Sequence, residues 1–212
     1  MSFSTAGGTR VQIAVLSRIG GREKNEDACG YWNDGGPVCC VLSDGAGGHG
    51  GGDVASRIAV ETILRAFAEN PVRDARGVLD LMSLANREVM REQSRAELVR
   101  DMRATLVLLT FDPDTSEAWW GHVGDSRLYW FRSGFVSART RDHSLVQSMM
   151  DAGFAPADDL RLNPERSVLI ASLGGDDGFE PEVTATPQML RAGDAFLLCS
   201  DGFWDYVDEQ AM

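Results

Sequence analysis

Lysine is almost absent from this chain: Lys24 is the single one, and all basic side chains together number 20 against 32 acidic ones. The net charge of −12 leaves no basic face of the kind that a nucleic-acid-binding surface needs. It suits instead a protein whose acidic groups serve cations. Apolar runs long enough to span a membrane are missing. The opening residues, Met1 to Gly8, have neither the basic start nor the apolar centre of a secretory signal. Cysteine is sparse as well. Cys29, Cys39, Cys40 and Cys199 show no C-x-x-C spacing, and the adjacent pair would project to opposite faces of a strand. These absences point away from a disulfide framework, towards buried, reduced thiols in a cytoplasmic protein with no membrane or nucleic-acid partner.

What the chain does have is a repeated junction. The apolar run Val38-Cys39-Cys40-Val41-Leu42 leads through Ser43 into Asp44-Gly45-Ala46-Gly47-Gly48-His49. Phe196-Leu197-Leu198-Cys199 leads into Ser200-Asp201-Gly202, and Trp119-Trp120-Gly121-His122-Val123 into Gly124-Asp125-Ser126. One strand followed by an Asp beside a Gly is an ordinary turn. Three in one chain predict a cluster of carboxylates at one edge of a sheet, and such a cluster repels itself unless cations neutralise it. Metal binding is therefore expected.

At 212 residues and 43% hydrophobic content, the chain is read as one domain over 1–212 with a sizeable core. Strands are expected at Val11 to Leu16, and at Ala28 to Trp32 and Val38 to Leu42 around an Asn33-Asp34-Gly35-Gly36 turn. Helical periodicity follows in Val54, Ile58, Leu64 and Phe67 until Asn70-Pro71, and again from Gly77 to about Val99. Strands resume at Thr105 to Phe111, Ala118 to Val123 and Ser126 to Phe131, ending in a Ser133-Gly134 turn. Residues from about 142 to 175, with a short helix near Leu145 to Met150, read as a flap-like excursion from the core. A last strand, Ala195 to Cys199, precedes Asp201, and a helix is expected to begin near Trp204. Strands, a helical pair and strands again indicate an α+β fold with antiparallel sheets.

With these segments in order, the chain resembles the metal-dependent PPM (PP2C-type) Ser/Thr protein phosphatases, in a compact form like the bacterial stand-alone branch. The resemblance rests on Arg22-Glu23-Lys24-Asn25-Glu26-Asp27, Ser43 to His49, Gly124-Asp125-Ser126-Arg127, Asp142-His143-Ser144 and Ser200 to Asp205. It implies a sandwich of two antiparallel β-sheets flanked by helices. It also implies hydrolysis of phosphoserine and phosphothreonine in proteins by a metal-activated water, on substrates of a Ser/Thr kinase. A phosphate monoester resists hydrolysis, and two hard cations bridged by a carboxylate both activate water and neutralise phosphoryl charge. All-oxygen ligands without a His/Cys cluster favour Mn²⁺ or Mg²⁺ over Zn²⁺. By resemblance Asp44 bridges two ions, the Gly45 carbonyl adds a ligand and Asp201 holds the second ion. Asp125 and Asp205 would hold a third. Glu26 and Asp27 would act through bound waters, and Arg22 would grip the phosphate with two parallel donors. His49, His122 and His143 are read as structural, His122 as a satisfied core residue.

The chain departs from the family pattern in two places. It reads Met102-Arg103-Ala104-Thr105 where relatives usually have Met-Gly-Thr-Thr, which bears on the packing of that segment. Relatives also continue past the position of Met212 to a further metal-binding Asp, so the last helix and strand are expected to be incomplete in this sequence. That departure keeps a second reading open, a catalytically weak or inactive module of the same fold that binds a phosphoprotein or kinase. A hydrolase of small phosphoesters would use the same core residues.

Overall fold

The computed structural model describes residues 2–4, 10–46, 50–95, 97–154, 163–175 and 179–212. Alternation along β6 (Leu106–Asp112) explains the layering. Leu106 and Leu108 enter a core shared with two helices, while Val107 and Leu109 enter a second core on the opposite face. The helices are α1 (Gly52–Glu69) and α2 (Ala75–Gln93). In the main sheet β6 lies between β4 (Val38–Ala46) and β7 (Glu117–Val123), with β3 (Asp27–Trp32) outside β4. Short strands add to its borders: β5 (Arg103–Ala104) on β4, and β10 (Glu182–Val183) and β11 (Gln188–Met189) on β7. The second sheet is β12 (Ala195–Cys199), β8 (Arg127–Arg132) and β9 (Phe135–Arg139), all antiparallel. Leu128, Trp130, Phe196 and Leu198 face the main sheet, where Trp130 meets Trp120 edge-on at 6.0 Å. The fold is thus α+β, with a helical layer on one sheet and a second sheet behind it.

The paired cysteines divide as their adjacency predicts: Cys39 joins the helix-side core and Cys40 the inter-sheet one. Burial pushes the Cys40 and Cys199 thiols up to about 12. Four expectations need correction. The strand expected at Val11 to Leu16 is a three-residue β2 (Arg10–Gln12) paired with β1 (Ser2–Ser4), and Val15 and Leu16 are exposed. Alternation alone does not make a strand. Helix α2 stops at Gln93, whose side-chain amide donates to the carbonyls of Met102 and Gly174 at 2.8 and 2.9 Å. A separate 3₁₀ turn covers Glu97–Val99. Beyond the Ser133-Gly134 turn, where no element is expected from the sequence, the chain forms β9. Both turn residues have positive φ, 53° and 81°, the geometry of a tight hairpin. Last, the final helix α4 (Asp201–Trp204) begins at Asp201 itself, ahead of Trp204.

The Arg103-Ala104 departure is packed rather than disordered. Ala104 is fully buried, pairs with Gly45 and exchanges backbone hydrogen bonds with Leu173. Helix α3 (Leu145–Asp151) is capped by Ser144, and 163–175 returns to the body through bridges at Leu169 and Leu173. The polar stretch Ala155 to Asp159 lies outside the described residues, as do Gly47, Gly48 and His49. Among the described residues no helix is long and apolar enough to cross a membrane.

Candidate active site

Register places the first two carboxylates. Asp27 opens β3 directly opposite Asp44 near the end of β4, so both project from one face. The Asp44 backbone is fixed by Thr105, whose N–H donates to the Asp44 carbonyl at 2.8 Å and whose Oγ1 accepts from the Asp44 N–H at 3.0 Å. Thr105 Oγ1 also meets Ser126 Oγ at 2.6 Å, which ties the Asp44 strand to the turn that carries Asp125. Gly45 follows where nothing larger fits. A Cβ there would lie 2.3 Å from the backbone carbon and oxygen of Gly52, while its N–H donates to Glu26 O at 3.1 Å.

The other sheet supplies Asp201. Ser200, its neighbour, donates to Asp27 Oδ2 at 3.1 Å across 173 residues of sequence. The charges of Asp27 and Asp201 both bear on the Asp44 carboxylate. Asp205 donates its backbone N–H to Asp201 O at 3.0 Å, the helical-turn spacing expected of the pair. Asp125 is buried in the turn between β7 and β8. Burial, then the charges of Asp27 and Asp201, push the Asp44 carboxyl up to about 9. Burial and Asp201 raise Asp125 to about 7, and burial and Asp205 raise Asp201.

Five of the sequence-predicted carboxylates, Asp27, Asp44, Asp125, Asp201 and Asp205, therefore meet in one place. Glu26 borders them. Its carbonyl accepts from Gly45 and from Ser56 Oγ, and its carboxylate lies beside Gly52. Arg22 sits in the exposed segment before β3, and the charges that bear most on Asp44 are all carboxylates. The donor set fits hard divalent cations: the carboxylates are oxygen donors, they repel one another, and Asp205 Oδ1 is buried without a partner.

Sequence reasoning missed the scaffold behind this cluster. Arg127 and Asp142, both buried, form a two-pronged ion pair at 2.8 and 2.7 Å. The Arg127 guanidinium also lies 3.6 Å over the Trp204 ring, and Trp204 Nε1 donates to the Asp125 carbonyl at 3.0 Å. Asp142, Arg127 and Trp204 thus hold the Asp125 turn from behind. Both charges stood in recognisable segments, but nothing in their spacing indicated that they pair. Arg166 was missed too; its Nε binds Asp205 Oδ2 at 3.1 Å. His122 is buried with Nε2 on the Arg141 carbonyl, and burial followed by the neighbouring His143 lowers its pKa.

Comparison with known proteins agrees with this fold. A profile of the family described as protein phosphatase 2C matches residues 16–212. The chain belongs to the protein phosphatase 2C family. It is 32% identical over 173 residues to the serine/threonine protein phosphatase PstP of Mycobacterium tuberculosis, covering 81% of this chain but 33% of that relative. Against the protein phosphatase PhpP of Streptococcus pneumoniae the identity is 28% over 203 residues, covering 93% and 80% of the two chains. Among solved structures, the catalytic domain of PstP in complex with two manganese ions superposes with a TM-score of 0.73 at 27% identity, covering 98% of this chain and 78% of that one. The chain thus spans a third of the length of its PstP relative and most of the length of PhpP.

Proposed function

We propose that this chain is a metal-dependent phosphatase that hydrolyses phosphoserine and phosphothreonine in proteins, among them the products of a Ser/Thr kinase. The observation that carries this reading is the convergence of Asp44, Asp27, Asp201, Asp125 and Asp205 from both sheets into one mutually repelling cluster. The relatives named as Ser/Thr protein phosphatases support it, as does the manganese pair in the PstP catalytic domain. When bound, two Mn²⁺ or Mg²⁺ ions supply an activated water and neutralise charge on the phosphoryl oxygens.

The residues of the chain divide the remaining work. Asp44, on which the charges of Asp27 and Asp201 both bear, would hold the two ions together with the Gly45 carbonyl. Asp201 holds one of the two, and Asp125 with Asp205 offers a weaker third position. Glu26 and Asp27 orient water. Arg22, on its exposed segment, grips the substrate phosphate. Of the expected flap, the described residues 163–175 belong to the same domain and reach the cluster through the Arg166–Asp205 ion pair.

Turnover of a phosphopeptide with Mn²⁺, with Mg²⁺ and after exhaustive EDTA treatment tests the proposal. Activity is expected with either ion and none after chelation. Undiminished turnover in EDTA would sink the metal mechanism. Hydrolysis of para-nitrophenyl phosphate without any phosphopeptide turnover would reassign the protein to small phosphoesters.

A further inference from the structure

Apart from the aspartate cluster, three side chains converge that the phosphatase reading leaves unused. His122 in β7 stands directly opposite Glu182 in β10, so the two project from the same face of the main sheet. His143 reaches them from the segment after β9. Its ring lies 4.5 Å from that of His122, and its Nε2 lies 3.5 Å from Glu182 Oε1. One ligand atom from each of the three falls within 4.8 Å of the other two. His122 and His143 are buried, while the Glu182 side chain is 64% exposed and leaves a way in from solvent.

The surroundings hold these groups as a metal site requires. His122 Nε2 lies 2.6 Å from the Arg141 carbonyl oxygen. A carbonyl only accepts, so Nε2 carries the hydrogen and Nδ1 the lone pair. A backbone carbonyl commonly fixes a metal-binding imidazole in this way. His143 is pinned on both sides of its peptide: its N–H donates to Gly124 O at 2.9 Å, and its carbonyl accepts from Ile170 at 3.0 Å. Its neighbour Asp142 is locked by Arg127.

We propose that His122, His143 and Glu182 form a second cation site, distinct from the aspartate cluster, that binds Zn²⁺ or a similar transition metal. Two imidazole nitrogens and one carboxylate oxygen, with water in the fourth position, match the tetrahedral preference of Zn²⁺. Mg²⁺ and Mn²⁺ favour oxygen ligands and belong to the aspartates. Glu182 faces Nε2 of His143, so the metal takes Nε2 and leaves the ring proton on Nδ1. At present Gly124 N–H points at that Nδ1 from 3.4 Å. Occupancy therefore turns an acceptor into a donor beside Gly124 and displaces its amide.

The test is a titration of the 212-residue chain carrying Asp44→Asn and Asp201→Asn, which weakens the aspartate cluster, with Co²⁺ and Zn²⁺ alone. Expected is one equivalent of Co²⁺ with the intense visible absorption of a four-coordinate site, displaced by Zn²⁺ and unaffected by excess Mg²⁺. Glu182→Gln, at an exposed position where folding is not at stake, should weaken binding by about tenfold or more. His143→Ala should abolish it, and Zn²⁺ should shift the Gly124 amide resonance. Absence of the visible band, or equally tight Co²⁺ binding by Glu182→Gln, overturns the site. An unmoved Gly124 amide under saturating Zn²⁺ overturns the assignment of His143 as a ligand.

Discussion

At Gly45 a single hydrogen atom in place of a side chain lets two backbones meet. An added methyl group would overlap the Gly52 backbone at 2.3 Å, and backbone yields far less than a side-chain end. Gly45→Ala should therefore cost more than about 3 kcal/mol, above the usual range for overpacking, and displace Asp44 with it. Urea denaturation reads the first effect and Mn²⁺ affinity the second; a variant of wild-type stability would show that the α1 terminus can retreat. Asp44 and Arg22 separate by charge. Asp44→Asn should abolish hydrolysis, since a neutral amide cannot balance two cations. Arg22→Ala should mainly raise KM, by roughly 10-fold or more if the lost charge-assisted contact is worth about 1.5–3 kcal/mol. Near-normal kcat in Asp44→Asn would remove the bridging role, and an unchanged KM in Arg22→Ala would remove the phosphate anchor.

At the scale of elements, the Asp125 turn depends on groups from three separate segments: Arg127 on β8, Asp142 after β9 and Trp204 in α4. Removing one charge of this buried pair strands the other. Asp142→Asn is expected to destabilise the protein by about 3–5 kcal/mol, whereas Arg127→Met combined with Asp142→Leu should fall closer to wild type. Equilibrium unfolding of the single and double variants decides it. If the double variant is the less stable, the guanidinium stacking on Trp204 contributes more than the ion pair. The same comparison bears on function, because Trp204 holds the Asp125 carbonyl.

For the whole molecule, the aspartate cluster couples stability to pH and to metal. Burial and neighbouring carboxylates push Asp44 up to about 9 and Asp125 up to about 7, against an ordinary 3.8. The folded state then binds protons that the unfolded chain has already lost. Their contribution to stability is fully present below about pH 4 and is lost as pH rises through about 7 and then about 9. Cations reverse the sense, since they bind the ionised carboxylates and compete with protons. The rise in Tm on replacing EDTA by Mn²⁺ should therefore be larger at about pH 8.5 than at about pH 5.5. Equal rises at both would mean that these carboxylates do not titrate against the metal.

The amino-acid sequence by itself determined the architecture and most of the carboxylates. An apolar run marks β6, adjacency within a strand separates Cys39 from Cys40, and apolar runs that end in an Asp beside a Gly name Asp44, Asp125 and Asp201. Such signals are local: a few neighbouring residues carry them, so they survive without coordinates. Tertiary structure alone decided which distant side chains would share a dielectric environment. Ser200 meets Asp27 across 173 residues, Arg166 meets Asp205, and Arg127 finds Asp142 and Trp204. The histidines make the same point. Read singly along the chain they are structural residues, yet strand register sets His122 against Glu182 and a returning loop adds His143. Buried charges and imidazoles acquire their chemistry from neighbours brought close by folding, and no spacing along the chain encodes that distance.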